Sequence, residues 1–296
     1  MLLLRRGVTL IEMLVVFACI TCLLGLSLVA IHSARSAARD TACRNNIRQI
    51  GLALQHHHDS KNQFPPGVET AAYHGSRQRG YFYIALLPYL EAQALADASD
   101  LSFSQQVNAL MPSPHPQIAS TLAVLACPDD DITHYVQPTY NNLQVALTDY
   151  LGCNGTNFYN RDGMLFDDSR TRFASVLDGS TSTIIVGERP PSPDNWYGWW
   201  YTGRGQLETG SLDALLGTSE VNSVDSPVVN CQENLTSIHR AVYGKYCNIL
   251  RFGSYHPGGA NFGFTDGSVR QLSFSVTPHV LDSLGTRAGN EIVEVP

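Results

Sequence analysis

Charge is scarce in this chain. Asp, Glu, Lys and Arg make up 15% of its 296 residues, with 26 acidic against 19 basic side chains and a net charge of −7. That balance excludes the broad basic face by which proteins hold nucleic acid. Also missing are the frames of common enzymes: no H-E-x-x-H, phosphate loop or nucleophile elbow surrounds the available Ser254, His256, Asp266 and Glu188. No catalytic activity and no cofactor are therefore expected. No segment repeats at a fixed period, which sets aside solenoids and propellers.

Cysteine is sparse too. Of seven, Cys19 and Cys22 form the chain's one C-x-x-C pair, and they lie in an apolar run where no zinc site is expected. The other five are Cys43, Cys127, Cys153, Cys231 and Cys247, an odd number, so at least one thiol is free or pairs between chains. Cys231 with Cys247 is the first expected disulfide and Cys127 with Cys153 the second. Five reduced thiols buried as small hydrophobes are the alternative.

What the chain does have is a long uncharged stretch, Met13 to Ile31. As a helix it would extend about 28 Å, enough to cross a bilayer. Arg5 and Arg6 precede it and would stay on the cytoplasmic side. A secretory signal peptide would have a shorter apolar core, and a lipobox reading of Val16 to Cys19 fails because the apolar run continues beyond Cys19. Glu12, alone at the edge of this run, is costly there unless something pairs with it.

Gly7-Val8-Thr9-Leu10-Ile11-Glu12 resembles the processing site of type IV prepilins and type II secretion pseudopilins. The resemblance implies cleavage between Gly7 and Val8 by a prepilin peptidase and methylation of the new Val8 amine. It also implies that Glu12 pairs with that amine in a neighbouring subunit. Val8 stands where Phe is commoner in such proteins.

From Ala34 to Asp59 there is no Pro and one Gly, and Cys43, Ile47, Ile50 and Leu54 fall on one helical face. A single helix from about Leu10 to about Asp59 follows, stopped by Phe64-Pro65-Pro66-Gly67. A second helix is expected over Tyr81 to Ala94 despite Pro88. Beyond it, short β-branched runs such as Thr183 to Val186 lie between Asp-Gly and Pro-rich turns and read as strands. Gly203 to Asn230 reads as a long polar surface excursion. Ala260 to Thr265 and Ser268 to Phe274 alternate around Asp266-Gly267, a pattern that predicts a hairpin with a two-residue type I′ turn.

His256, nine residues, then Asp266-Gly267 is similar to the H-X9-DG motif of the DUF1559 family of prepilin-type proteins. Cys43 to Leu54, Phe64 to Gly67, Leu87 to Glu91, Cys127 to Asp130 and Asp178 to Arg189 agree with that family as well. The expected architecture is α+β and pilin-like: a leader at 1–7, a membrane-spanning first helix half at 8–33, an amphipathic second half at 34–62, and a head at 63–296. That head carries an antiparallel sheet, with the terminal hairpin near 260–274.

The expected role is a structural subunit of a type IV pilus or type II secretion-like system. The chain would be single-pass in the inner (cytoplasmic) membrane, with its head on the periplasmic side. Its partners would be the peptidase and other pilin-like subunits, with incorporation into a filament. The competing reading is an anchored module that binds carbohydrate or a surface protein through Trp196, Tyr197, Trp199 and Trp200, since exposed aromatics in a Gly-containing loop can stack on sugars. Those residues could also simply cap the core, the more frequent role of such rings. Asp129-Asp130-Asp131 offers hard oxygens for Ca²⁺ without EF-hand spacing. His56-His57-His58 points in several directions around a helix end, so only some of it could face one metal, and a solvated helix terminus is the expected reading.

Overall fold

The computed structural model describes residues 9–69, 80–106, 108–110, 114–139, 141–203, 205–222, 238–242, 244 and 249–291. Helix α1, Leu10–Lys61, runs unbroken for 52 residues, about 78 Å. It starts where Thr9 and Glu12 form a reciprocal capping box, which satisfies two backbone donors that a helix start leaves open. It stops at Asn62, whose left-handed backbone (φ 56°) returns its N–H to the His58 carbonyl. The two prolines that follow make resumption impossible.

The two halves of α1 meet different surroundings. Large side chains from Leu10 to Ile31 are exposed on every side of the helix. From Cys43 onward one stripe, Cys43, Ile47, Ile50, Ala53 and Leu54, is buried against the head. Each large aliphatic in it gains roughly 1.5–3 kcal/mol on leaving water.

The stretch expected to be one helix over Tyr81 to Ala94 is in three pieces. Helix α2, Phe82–Leu86, passes into a tighter 3₁₀ turn, Leu87–Leu90, with Pro88 in its first turn. Glu91 then takes a left-handed conformation, and α3, Gln93–Gln105, begins anew. Pro88 lacks the N–H that a continuous helix would need.

The head is built on a five-stranded sheet of β1 (Tyr150–Gly155), β2 (Ile184–Glu188), β3 (Leu215–Gly217), β4 (Ala260–Phe264) and β5 (Val269–Leu272). Their spatial order is β5-β4-β2-β1-β3, antiparallel except for the β1–β3 pair. The chain is thus α+β, with a pilin-like long N-terminal helix and an antiparallel-rich head. Strand β3 corrects the reading of Gly203 to Asn230 as a surface excursion over residues 205–222, while 204 and 223–230 lie outside the described residues. Leu212, Asp213, Ala214, Leu215 and Leu216 are buried, because β3 covers an edge that would otherwise expose β1. Helix α4, Pro278–Gly285, closes the far side, capped by Thr277.

The β4–β5 hairpin forms as expected, but its turn is different. The Gly267 N–H donates to Phe264 O and the Phe264 N–H to Ser268 O, so Thr265, Asp266 and Gly267 make a three-residue loop. Among these, only Gly267 has positive φ (85°), whereas a type I′ turn needs two such residues. Asp266 keeps its ordinary conformation because its carboxylate accepts from the Ser268 N–H (2.9 Å) and hydroxyl (2.6 Å).

Strand β4 is covered on both faces. Phe262 and Phe264 enter a core with Ile184, Phe252, Leu281 and Leu284. The opposite face, Asn261 and Gly263, lies under α1, where a Cβ on Gly263 would stand 2.8 Å from Ile47 Cγ2. Glycine at 263 is what lets the helix approach this closely.

Candidate functional site at the helix–head junction

Four of the motif segments converge where α1 crosses the sheet. Helix α1 supplies Asp40 and Cys43, one turn apart on the same face. A loop supplies Cys127 and Asp129, the end of β2 supplies Glu188, the start of β4 supplies Asn261, and the turn before β4 supplies His256.

Cys43 and Cys127 form a disulfide across 84 residues, with Cα atoms 5.4 Å apart. This corrects the pairing of Cys127 with Cys153. Cys153 is a buried free thiol on β1, its pKa pushed up to about 12 by burial. Cys231 and Cys247 lie outside the described residues.

His256 is wholly buried among carboxylates. Its Nδ1 lies 2.7 Å from Asp129 Oδ2. Its Nε2 lies 3.6 Å from Cys127 Sγ, 3.7 Å from Glu188 Oε1 and 3.9 Å from Asp40 Oδ1. These carboxylates are held in turn. Asn261 donates its backbone N–H to Glu188 Oε2 (2.8 Å) and its side-chain amide to Glu188 Oε1 (3.0 Å) and Asp40 Oδ1 (2.8 Å). Arg44 pairs with Asp40 one helical turn away (2.8 Å), and Arg39 pairs with Asp129. Burial pushes the Glu188 carboxyl above its usual range, against the pull of the His256 charge and the Asn261 donors.

The geometry separates residues that the sequence grouped. Asp266 is engaged with Ser268 at the hairpin tip, while His256 serves the junction, so the two ends of the H-X9-DG motif do different work. Asp266-Gly267 shapes a turn, and His256 contacts α1 through Asp40. Ser254 Oγ accepts from the His256 backbone N–H (3.2 Å) rather than facing its ring as a nucleophile would.

The Asp129 to Asp131 run does not converge on one point. Asp129 takes Arg39 and His256, Asp130 is buried and accepts from the Ile132 N–H, and Asp131 is exposed. His57 Nδ1 contacts Gln63 O just past the end of α1, His58 packs on Phe64 and Phe173, and His56 stacks on Tyr89, so the three rings point to different surroundings.

The aromatic stretch is largely core, the second of its two readings, rather than an exposed platform. Trp200 is fully buried and donates its indole N–H to Ser120 O (2.8 Å). Tyr197 and Trp199 are each 7% exposed, and Trp199 donates to Asn195 O. Burying these three rings this deeply removes their faces as stacking surfaces for a sugar, and of the four aromatics named Trp196 is the one left partly exposed. A recess of about 380 Å³ remains beside Trp196, Tyr197, Trp199, Leu110 and Asn141.

At the other end of the chain, Gly7 and Val8 lie outside the described residues. Glu12 is exposed and locally satisfied, accepting from the Thr9 N–H (2.8 Å) and hydroxyl (2.9 Å). The spacing Thr9-x-x-Glu12 is itself a capping-box signature. The junction residues were legible only in part: Cys43, Cys127, Glu188 and His256 each stand in a motif segment, but nothing in the linear order brings them together.

No curated protein and no solved structure matches the chain. The profile of a family described as "Protein of unknown function (DUF1559)" matches residues 32–279, most of the chain, and this protein belongs to that family.

Proposed function

We propose that the protein is a prepilin-like, membrane-anchored structural subunit of a type IV pilus or type II secretion-like assembly. The observation that carries this reading is the first half of α1. It is an exposed apolar rod, 0% buried against the head, long and apolar enough to cross a membrane, and continuous with a second half bonded into the head. Apolar surface exposed all round a helix needs lipid or other helices around it. Neighbouring copies of the rod would supply that cover in an assembly, and the bilayer would supply it before assembly.

In this reading a prepilin peptidase cuts between Gly7 and Val8 and methylates Val8. The basic pair Arg5 and Arg6 keeps the leader cytoplasmic, and the head lies on the periplasmic side of the inner membrane. Glu12 turns from its local cap to the amine of an adjacent subunit. The chain has a scaffolding role and catalyses nothing. Mass spectrometry of the N-terminus of protein taken from membranes tests the route. A methylated Val8 supports it, and an intact Met1 removes it.

A second reading keeps the anchor and gives the head a binding task. The recess beside Trp196 favours it. A glycan array probed with the detergent-solubilised chain and with Trp196→Ala separates the two, since a scaffolding subunit gives no Trp196-dependent signal.

A further inference from the structure

We propose that the helix–head junction is a redox-gated metal site, in which reduction of the Cys43–Cys127 disulfide frees two thiolates to bind a zinc-type divalent ion together with His256 Nε2 and Glu188. One sulfur each from Cys43 and Cys127, one carboxylate oxygen of Glu188 and one ring nitrogen of His256 all lie within 4.8 Å of one another, and all four residues are buried.

The spacing fits a tetrahedral ion. With metal–ligand bonds of roughly 2.0–2.3 Å, neighbouring ligands stand roughly 3.3–3.8 Å apart. His256 Nε2 lies 3.6 Å from Cys127 Sγ and 3.7 Å from Glu188 Oε1, which is ligand-to-ligand spacing and too long for a hydrogen bond to oxygen. The two sulfurs, bonded to each other in the oxidised chain, need to part by roughly 1.7 Å on reduction. A change of that size lies within side-chain rotation.

The supporting residues are those a metal-bound imidazole and carboxylate require. Asp129 Oδ2 stands 2.7 Å from His256 Nδ1, so the carboxylate lies on the Nδ1 side of the ring and Nε2 faces the cluster. Asn261 holds Glu188 through two donors and Asp40 through a third contact. Two thiolates, one imidazole and one carboxylate make a borderline-soft donor set, suited to Zn²⁺ rather than to Ca²⁺. A recess of about 400 Å³ lined by Ser36, Ala37, Asp40, His256, Gly258 and Gln271 lies beside α1 and reaches the cluster's edge at His256.

The chemistry balances with a dithiol as co-reactant. The dithiol gives two electrons and two protons to the Cys43–Cys127 bond and becomes a disulfide itself. The two new thiols pass their protons to solvent as the ion binds. An ion of charge +2 held by two thiolates and one carboxylate leaves one net negative charge, and Arg39 and Arg44 stand next to the supporting aspartates.

Co²⁺ binding to the detergent-solubilised full-length chain tests this, compared before and after reduction with excess phosphine and removal of the reductant without air. The reduced chain is expected to take up one Co²⁺ with thiolate-to-cobalt charge-transfer absorption and tetrahedral visible bands, and Zn²⁺ should displace it. The oxidised chain should show neither band. Asp129→Asn should weaken Co²⁺ binding roughly 10- to 100-fold while leaving the Cys43–Cys127 disulfide intact by mass, which shows that the variant folds. The proposal fails if the reduced chain gives no charge-transfer band. It also fails if Co²⁺ binds reduced wild type, His256→Ala and Asp129→Asn with equal affinity, which would mean that the thiols act without the imidazole.

Discussion

Cys43 is bonded to Cys127, and through that bond a point in the middle of α1 is fixed to a loop of the head 84 residues away. The apolar half of the helix lies on one side of this tie and the docked stripe on the other. Forces applied to the rod are therefore passed to the head covalently. In the chain-entropy treatment, a closed loop of this length removes about 4–5 kcal/mol of freedom from the unfolded chain. Replacing both cysteines by alanine should lower the urea midpoint of the head by an amount corresponding to most of that figure, measured without added metal. A midpoint unchanged by the double replacement would mean that noncovalent docking of α1 already holds the junction.

Docking depends on a second contact, that of Gly263 with Ile47. Gly263→Val places branched carbon where a Cβ already falls 2.8 Å from Ile47 Cγ2, and β-strand and helix cannot both stay in place. Overpacking of this kind costs about 1–3 kcal/mol. Pairing it with Ile47→Ala should recover part of the loss. The double-mutant cycle is the measurement, and strictly additive effects would dissociate the two positions.

Position 263 also shows why the sequence disclosed the fold better than the site. The alternation of Phe262 and Phe264 with Asn261 and Gly263 was legible as a strand with one apolar and one polar face. A polar face ordinarily meets water. Here it meets α1, and Asn261 is buried with its amide bridging Glu188 and Asp40. The same alternation would be read for a solvated strand, so the burial of Glu188 and His256 has no local signature. The long helix was legible because its evidence is local: no proline and one apolar stripe. The disulfide was not, because parity excludes pairings without choosing one, and the choice depends on where α1 comes down on the sheet. Asp266-Gly267 gave the hairpin but not its turn, because the Ser268 donors that hold Asp266 select the three-residue form.

Buried carboxyls give the head a pH dependence of definite sign. Burial lifts Asp149, Asp130, Glu188, Asp213 and Glu220 above their ordinary range, with Asp213 moved from 3.8 to about 6. The folded chain then keeps protons that the unfolded chain has released, so stability falls as pH rises from about 4 through about 6. Asp213 alone accounts for about 3 kcal/mol over that window. His57 and His115, lowered by burial, act in the opposite sense and are outnumbered. Unfolding midpoints should therefore be higher near pH 5 than near pH 7. Asp213→Asn should flatten the slope, and a wild-type head that gains stability across that interval would overturn the assignment.

Glu12 has two partners in prospect, its own Thr9 and a neighbour's amine, and one substitution separates them. Glutamine completes a capping box as well as glutamate does, since its amide oxygen can accept from the Thr9 N–H. It carries no charge, and so cannot neutralise an amine inside an apolar bundle. If Glu12 serves only the start of α1, Glu12→Gln should assemble as wild type, whereas Glu12→Ala loses the contact to the Thr9 N–H and weakens the helix start. If Glu12 meets a methylated amine across the subunit boundary, both variants should be processed and both should fail to enter the assembly. Fractionation of the two variants between membrane and sheared assemblies, with the N-terminus of each checked by mass, decides between these outcomes. Normal incorporation of Glu12→Gln would leave the capping box as the whole explanation of the carboxylate.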